Sequence, residues 1–240
     1  MLTPYGLDIV ESCLSCKLRV EHLFCDLSAA ALQTFETIKY VAAYPKGAVL
    51  FVEGQAPRGI YVLCEGRVKL SICASDGKTL ILKIAEAGEV LGLSATVGGT
   101  PYELTAETVS PCQVNFVKRE DFQRLLREHS DVCLRVAEQL SDKYTAACRG
   151  FRDIGLPHSA AEKLAKLLLE LSARNGETAK AQPRMKLALT HDEMAQMIGT
   201  SRETVSRLFA DLKKRQIVEK KGSTLRIRNK ATLKALALTQ

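Results

Sequence analysis

The sequence predicts an α+β protein: an N-terminal antiparallel β-roll, one long helix, and a C-terminal winged helix–turn–helix. Three observations predict it. Short β-rich runs between residues 43 and 118 are punctuated by glycines at close, regular spacing. One uninterrupted helical pattern follows over residues 131–154. Beyond it, two capped helical segments meet at a glycine and lead into a basic hairpin. A chain of 240 residues has room for two compact domains.

The elements follow in order. Residues 28–38 (SAAALQTFETI) open on a serine N-cap and repeat apolar residues at helical spacing. The runs VLFVE, GIYVLCEG, RVKLSIC, TLILKIA, TAETVS and CQVNFV then read as strands, separated by Gly47, Gly54, Gly59, Gly66, Gly77, Gly88 and Gly98–Gly99. Residues 75–78 (SDGK) form a hairpin signal, because Asp-Gly tolerates positive φ. Residues 119–129 read as a short helix, and Ser130 as the N-cap of the long one. That helix carries Val136, Leu140, Tyr144, Ala147, Phe151 and Ile154, spaced 4, 4, 3, 4 and 3, close to a coiled-coil stripe. About 24 residues give about 36 Å of helix. A small roll covers little of that length, so the stripe is expected to meet a partner helix in a homodimer. No acidic residue falls among its six positions. Gly155-Leu156-Pro157 ends the helix. An amphipathic helix over HSAAEKLAKLLLELSARNG follows, capped by Gly176, and then a polar, loop-like ETAKAQPR. The expected divisions are a cysteine-rich segment at 1–27, the roll at 28–129, the long dimerisation helix at 130–156 and the winged helix–turn–helix at 157–240.

Charge is distributed unevenly along this plan. Residues 159–240 hold 17 Lys/Arg against 8 Asp/Glu, a net of +9; residues 1–158 hold 17 against 19, a net of −2. A basic module on a near-neutral body points to a polyanionic partner, most often nucleic acid. The composition is 46% hydrophobic and 25% charged, which argues against long disorder. No run of about 18 apolar residues occurs, so no membrane span is expected. MLTPYGLDIVESC lacks the pattern of a secretory signal, and a cytoplasmic location is expected.

Eight cysteines need explaining. Cys13, Cys16 and Cys25 crowd the N-terminus. Thiolates two residues apart can face one ion, so a C-x-x-C pair with a third cysteine nearby suits a metal or iron–sulfur centre. Buried apolar cysteines are the competing reading. A fourth ligand must come from elsewhere. A thiol oxidoreductase would need a βαβ setting around Cys13-x-x-Cys16, and the neighbouring pattern is helical and then a β-roll. No nucleophile triad or phosphate-binding glycine motif stands out, and His22, His129, His158 and His191 are scattered. The chain is therefore not expected to be an enzyme.

The most informative stretch runs from Leu189 to Asn229. Thr190-His191-Asp192-Glu193 reads as a capping box, Gly199 as its helix stop, and Thr200-Ser201-Arg202-Glu203 as a second capping box. Met194, Ala195, Ile198, Val205 and Leu208 are expected to pack the two helices together. Thr200, Ser201, Arg202, Glu203, Ser206 and Arg207 then fall on or near the start of the second helix, the part that enters the major groove in this motif. Arginine can bond guanine bidentately and glutamate can accept from cytosine. IVEKKGSTLRIRN reads as a two-stranded wing, with Lys220, Lys221, Arg226 and Arg228 placed for phosphates.

With TSRETVSRLFADLKK at its end, this order resembles the cyclic-AMP receptor protein/FNR (CRP/FNR) superfamily of bacterial transcription regulators, whose sensor domain is cyclic-nucleotide-binding-like. Glu203-Thr204-Val205-Ser206-Arg207 matches the E-x-x-S-R pattern of the FNR branch. The resemblance implies that Glu203, Ser206 and Arg207 read a TTGAT-like half-site. Arg202 instead matches the R-E-T-V of the cyclic-AMP receptor branch, where that arginine also reaches DNA. A homodimer acting with RNA polymerase on a palindrome is implied. Members that bind cyclic nucleotide carry G-E-L and then R-S for the cyclic phosphate. Here the loop reads Gly88-Glu89-Val90-Leu91-Gly92-Leu93-Ser94, and Tyr102-Glu103 stands at the R-S place. A carboxylate cannot replace the phosphate-neutralising arginine, so no cyclic AMP is expected. FNR-branch cysteines imply Cys13, Cys16, Cys25 and Cys112 as ligands of an oxygen-labile [4Fe-4S] cluster sensing oxygen, redox state or nitric oxide. Cys112 is placed by its Cys112-Gln113-Val114-Asn115-Phe116 context; the Cys16–Cys25 spacing is longer than the family's. Cys64 reads as core, and Cys73, Cys133 and Cys148 have no role in the pattern. The alternative is a regulator of the same type without a cluster, answering to a small molecule, haem or thiol oxidation.

Overall fold

The computed structural model describes residues 4–16, 25–155, 159–174, 184–186, 189–221 and 224–237; at 4, 149, 151–155, 174, 184–186 and 220–221 only the backbone is described. The chain divides into two compact units, with the main break at Gly150.

The first unit is a β-roll. Helix α1 (Ala29–Ile38) starts at Ser28, whose hydroxyl accepts from the Ala31 amide, and passes directly into β1 (Lys39–Tyr44). Strands β2 (Val49–Phe51), β3 (Gly59–Glu65), β4 (Arg67–Cys73), β5 (Thr79–Glu86), β6 (Val90–Leu91), β7 (Thr105–Thr108) and β8 (Cys112–Lys118) follow, with the short helix α2 (Leu93–Gly98) after β6. They form two four-stranded sheets, ordered β1-β8-β3-β6 and β2-β7-β4-β5. The sequence pattern misses β1, β6 and α2. β1 follows a helix with no intervening turn residue, and β6 has only two residues, too few for any periodicity.

Strand alternation sorts the side chains of β3 and β8 into two cores. Tyr61, Leu63, Cys112 and Val114 join Phe51, Val68 and Ala106 from the second sheet, inside the roll. Ile60, Val62 and Val117 turn the other way, toward Phe35 of α1 and toward α3 (Arg119–Glu128) and α4 (Ser130–Gly155). At Gly66 (φ 91°) a Cβ would lie 2.2 Å from the Pro111 carbonyl and 2.6 Å from Cys112 Sγ, so this close approach requires glycine.

Helix α4 corrects the expected stripe. Val136 is 5% exposed in the core with α1 and α3, and Leu140 packs partly against that core. The first turns of α4 are used by their own roll. The exposed face instead carries Leu134, Ala137, Ser141, Tyr144 (73% exposed) and Cys148, spaced 3, 4, 3 and 4. Ala147 is exposed as expected, whereas the side chains of Phe151 and Ile154 lie outside the described residues.

The second unit holds α5 (Ala160–Arg174), β9 (Arg184–Lys186), α6 (His191–Ile198), α7 (Arg202–Lys214), β10 (Val218–Lys221), β11 (Thr224–Ile227) and α8 (Lys230–Ala237). The strands form an antiparallel sheet ordered β10-β11-β9. Helix α5 packs against α6, α7 and α8. Its core includes Leu164, Leu168, Met194, Val205, Phe209 and Leu233. The residues expected to cap α5 (Gly176) and to end α4 (Leu156 and Pro157) lie outside the described residues. β9 falls where a loop was expected, because three residues of mixed polarity carry no strand signal.

Candidate nucleic-acid interface and thiol site

The helix–turn–helix is built by its caps. Thr190 Oγ1 accepts from the Glu193 amide at 3.1 Å, and the Glu193 carboxylate accepts from the Thr190 amide at 2.7 Å. Gly199, at φ 65°, ends α6 in a left-handed conformation that favours glycine. The cap of α7 differs from expectation. Ser201, not Thr200, is the N-cap, and its hydroxyl accepts from the Thr204 amide at 3.2 Å. The second box does not close because Glu203 stands one position too early to be N3.

Capping fixes the rotation of α7 against α6. Val205, Phe209 and Leu212 are buried, Met194, Ala195 and Ile198 are buried opposite them, and Leu208 is half-buried. Ser201, Arg202, Glu203, Ser206 and Arg207 are therefore left exposed on one end of the helix. Thr200 is half-buried in the turn. Glu203 is held below the usual carboxylate range by its own backbone amide and by the Ser201 hydroxyl, so it is an anionic acceptor. Ser206 Oγ lies 3.0 Å from His191 Nδ1, and the His191 ring stacks on Phe209 at 4.9 Å between centroids. Sequence reasoning missed this role for His191; its position at N1 of α6 facing α7 was the available signal. In the wing, both Nε and Nη2 of Arg228 bond Glu219 Oε2, at 3.0 and 2.8 Å. Arg226 is half-buried, and the side chains of Lys220 and Lys221 lie outside the described residues.

At the place expected to receive a cyclic phosphate, Tyr102 is buried. Its hydroxyl donates to the Gly59 carbonyl at 2.8 Å, and its ring stacks on Phe51 at 4.1 Å. Glu103 accepts from Ser94 Oγ at 2.6 Å. Lys143 of α4 donates to the Val90 carbonyl at 2.9 Å.

The N-terminal segment docks on the helix-facing side of the first sheet. Gln113 clamps it through both Val10 backbone groups, at 2.9 and 2.7 Å. Cys13 receives hydrogen bonds at sulfur from Lys39 Nζ (3.3 Å) and Asn115 Nδ2 (3.4 Å). Cys13 is buried in the core of that face, and Cys25 packs against it. Burial pushes the Cys25 thiol up to about 12, and the charges of Cys13 and Cys16 add to this. The three N-terminal cysteines thus share one neighbourhood. Cys112 does not belong to it. It is 0% exposed inside the roll, with its thiol donating to the Arg67 and Ser110 carbonyls at 3.3 and 3.2 Å. Gln113 and Asn115 beside it face the N-terminal segment, and alternation turns Cys112 the opposite way. Among the described residues, no three His, Cys, Asp or Glu side chains stand together in an arrangement that could hold a metal ion.

A roll joined through a long helix to a winged helix–turn–helix defines a sensor-coupled DNA-binding protein, and comparison with known families bears this out. Residues 41–129 match the cyclic nucleotide-binding domain family, and residues 162–236 match the Crp-like helix-turn-helix domain family. The chain is 25% identical over 195 residues to the cAMP-activated global transcriptional regulator CRP of Pasteurella multocida, covering 81% of this chain and 92% of that protein. It is 24% identical over 184 residues to a CRP-like cAMP-activated global transcriptional regulator of Mycobacterium tuberculosis, covering 77% and 82%. Its fold is similar to FixK2 from Bradyrhizobium japonicum, with a TM-score of 0.74 and 23% identity over 85% of this chain and 99% of that one. The chain belongs to the CRP/FNR superfamily, and is a DNA-binding transcription regulator of that type.

Proposed function

We propose that this regulator binds DNA as a homodimer, reads a TTGAT-like palindrome, and acts with RNA polymerase in response to oxygen, redox state or nitric oxide. The observation that carries the DNA reading is the exposed cluster Arg202, Glu203, Ser206 and Arg207 at the capped start of α7. Arg207 supplies the paired donors for guanine, and anionic Glu203 accepts from cytosine N4. His191 orients Ser206 from the neighbouring helix. Two such modules meet half-sites one helical turn apart, about 34 Å. Pairing of the exposed α4 face, from Leu134 to Tyr144 and Cys148, joins the protomers.

The N-terminal thiols are the proposed input. Sulfur is the donor type that holds iron–sulfur clusters, and Cys13 already accepts from Lys39 and from the Asn115 amide. When bound, a [4Fe-4S] cluster supplies lability to oxygen and nitric oxide. The chain's own residues tie this segment to the dimer helix. Asp131 of α4 accepts from the Ser28 amide at 3.1 Å, and Arg135 pairs with Asp26 at 3.0 Å. A change in the segment is thereby transmitted to the first turns of α4. Anaerobic isolation followed by iron and acid-labile sulfide analysis tests this input. Iron and sulfide in equal amounts with a broad visible absorption band are expected; their absence from anaerobic protein overturns it. A second reading keeps the DNA-binding function but assigns the input to thiol oxidation or a small molecule. It is favoured by the lack of a ready-made metal-holding group among the described residues.

A further inference from the structure

We infer that His191 is a positioning residue for sequence reading: by taking the hydroxyl proton of Ser206 it leaves that side chain a hydrogen-bond acceptor, selective for a base that carries an amine. The inference rests on the reading of α7 as the base-contacting helix and adds to it which bases Ser206 selects.

Three observations carry it. First, the contact crosses between helices. Ser206 Oγ lies 3.0 Å from His191 Nδ1, across 15 residues of chain. Serines inside a helix bond the carbonyl one turn back or face solvent; Ser206 instead reaches to α6, and among the described residues Nδ1 is its only hydrogen-bond partner. Second, the ring is held on its other side. It is half-buried and stacks on Phe209, with centroids 4.9 Å and planes 19° apart. Phe209 is 2% exposed, and the capping box on Thr190 fixes the backbone just before the ring. Third, the contact falls among the reading residues. Ser206 is exposed three positions after Glu203, a spacing that makes them neighbours on one helix face, and it precedes Arg207.

The chemistry follows from counting protons. A serine hydroxyl has one proton and two lone pairs, and a neutral imidazole has one donor nitrogen and one acceptor. His191 is the first residue of α6, where free amides make the helix end electropositive and disfavour a cationic ring. With Nδ1 as the acceptor, the proton of Ser206 points at the ring and its lone pairs remain for DNA. In the major groove adenine N6 and cytosine N4 donate, whereas thymine O4 and guanine O6 and N7 only accept. A serine with a free hydroxyl pairs with either kind. His191 thus turns an indifferent side chain into a selective one.

The test selects bound sequences from a duplex library randomised at every position, using wild type, His191→Phe, His191→Asn, Ser206→Ala and the variant combining His191→Phe with Ser206→Ala. Each is checked for an unchanged thermal transition, and His191→Leu replaces His191→Phe where the larger ring disturbs it. Phenylalanine keeps the stack without the nitrogen; asparagine offers an amide oxygen in place of Nδ1. In wild type, the half-site position that depends on Ser206 is expected to hold adenine or cytosine on the contacted strand. His191→Phe should relax that position alone, by about fivefold or more. His191→Asn should restore it, and the double variant should match Ser206→Ala. The inference is overturned by a wild-type preference for thymine or guanine there, by equal relaxation at every position, or by an effect of His191→Phe that persists without Ser206. An enriched sequence that His191→Phe leaves unmoved sinks the inference alone. If wild type enriches no sequence, the base-reading role of α7 falls and the inference falls with it.

Discussion

Arg207 and Ser206 are neighbours on α7 with different surroundings. Arg207 is exposed, whereas Ser206 is held by His191. Arg207→Ala should cost about 1–3 kcal/mol per half-site on the palindrome, with little change on random duplex. A gel-shift series on both duplexes measures this; equal loss on the two would show that Arg207 touches only phosphate. Glu103 makes a second residue-scale prediction. The resemblance places Glu103, whose carboxylate accepts from Ser94, where a cyclic phosphate would need a cation. Titration calorimetry should therefore show no saturable cyclic-AMP binding, and micromolar binding would refute this assignment of the loop. At this scale the sequence was most legible where the chemistry is local. The Thr190–Glu193 box and the Gly199 stop lie within ten residues of each other. The surroundings of Cys112 were not legible in its local context, because they are set by strand alternation, with the N-terminal segment docked on the opposite face. A register cannot be read from a motif.

At the scale of elements, α4 shows how one helix serves two neighbours. Val136 and Leu140 pack inward, and Leu134 and Tyr144 face outward. Val136→Ala should lower stability by about 2 kcal/mol, from two buried methylene equivalents and the space they leave, without changing the association constant. Tyr144→Glu should do the reverse, weakening association at least about tenfold while leaving the monomer's thermal transition in place. Sedimentation and thermal melts on the two variants separate the roles, and the opposite assignment would reverse both outcomes. Periodicity revealed the length of α4 but not its rotation. A helix with an apolar 4-4-3 row and a mixed 3-4-3 row of Leu134, Ala137, Ser141 and Tyr144 has two candidate seams, and only the roll beneath it selects one.

For the whole molecule, the basic excess is an address. The +9 of residues 159–240 accompanies the exposed end of α7, and the −2 of residues 1–158 accompanies the roll. Affinity for DNA should fall linearly on a log–log plot against salt for specific and random duplex alike, because counterion release follows phosphate contacts. The ratio between the two should survive, because base contacts do not depend on it. The central claim is that α7 reads sequence. It is tested most directly by titrating anaerobically isolated protein onto TTGAT, four free positions and ATCAA, and onto a shuffled duplex of equal composition at one salt concentration. A preference of about 10³-fold or more for the palindrome is predicted. Equal affinity for the two would contradict it.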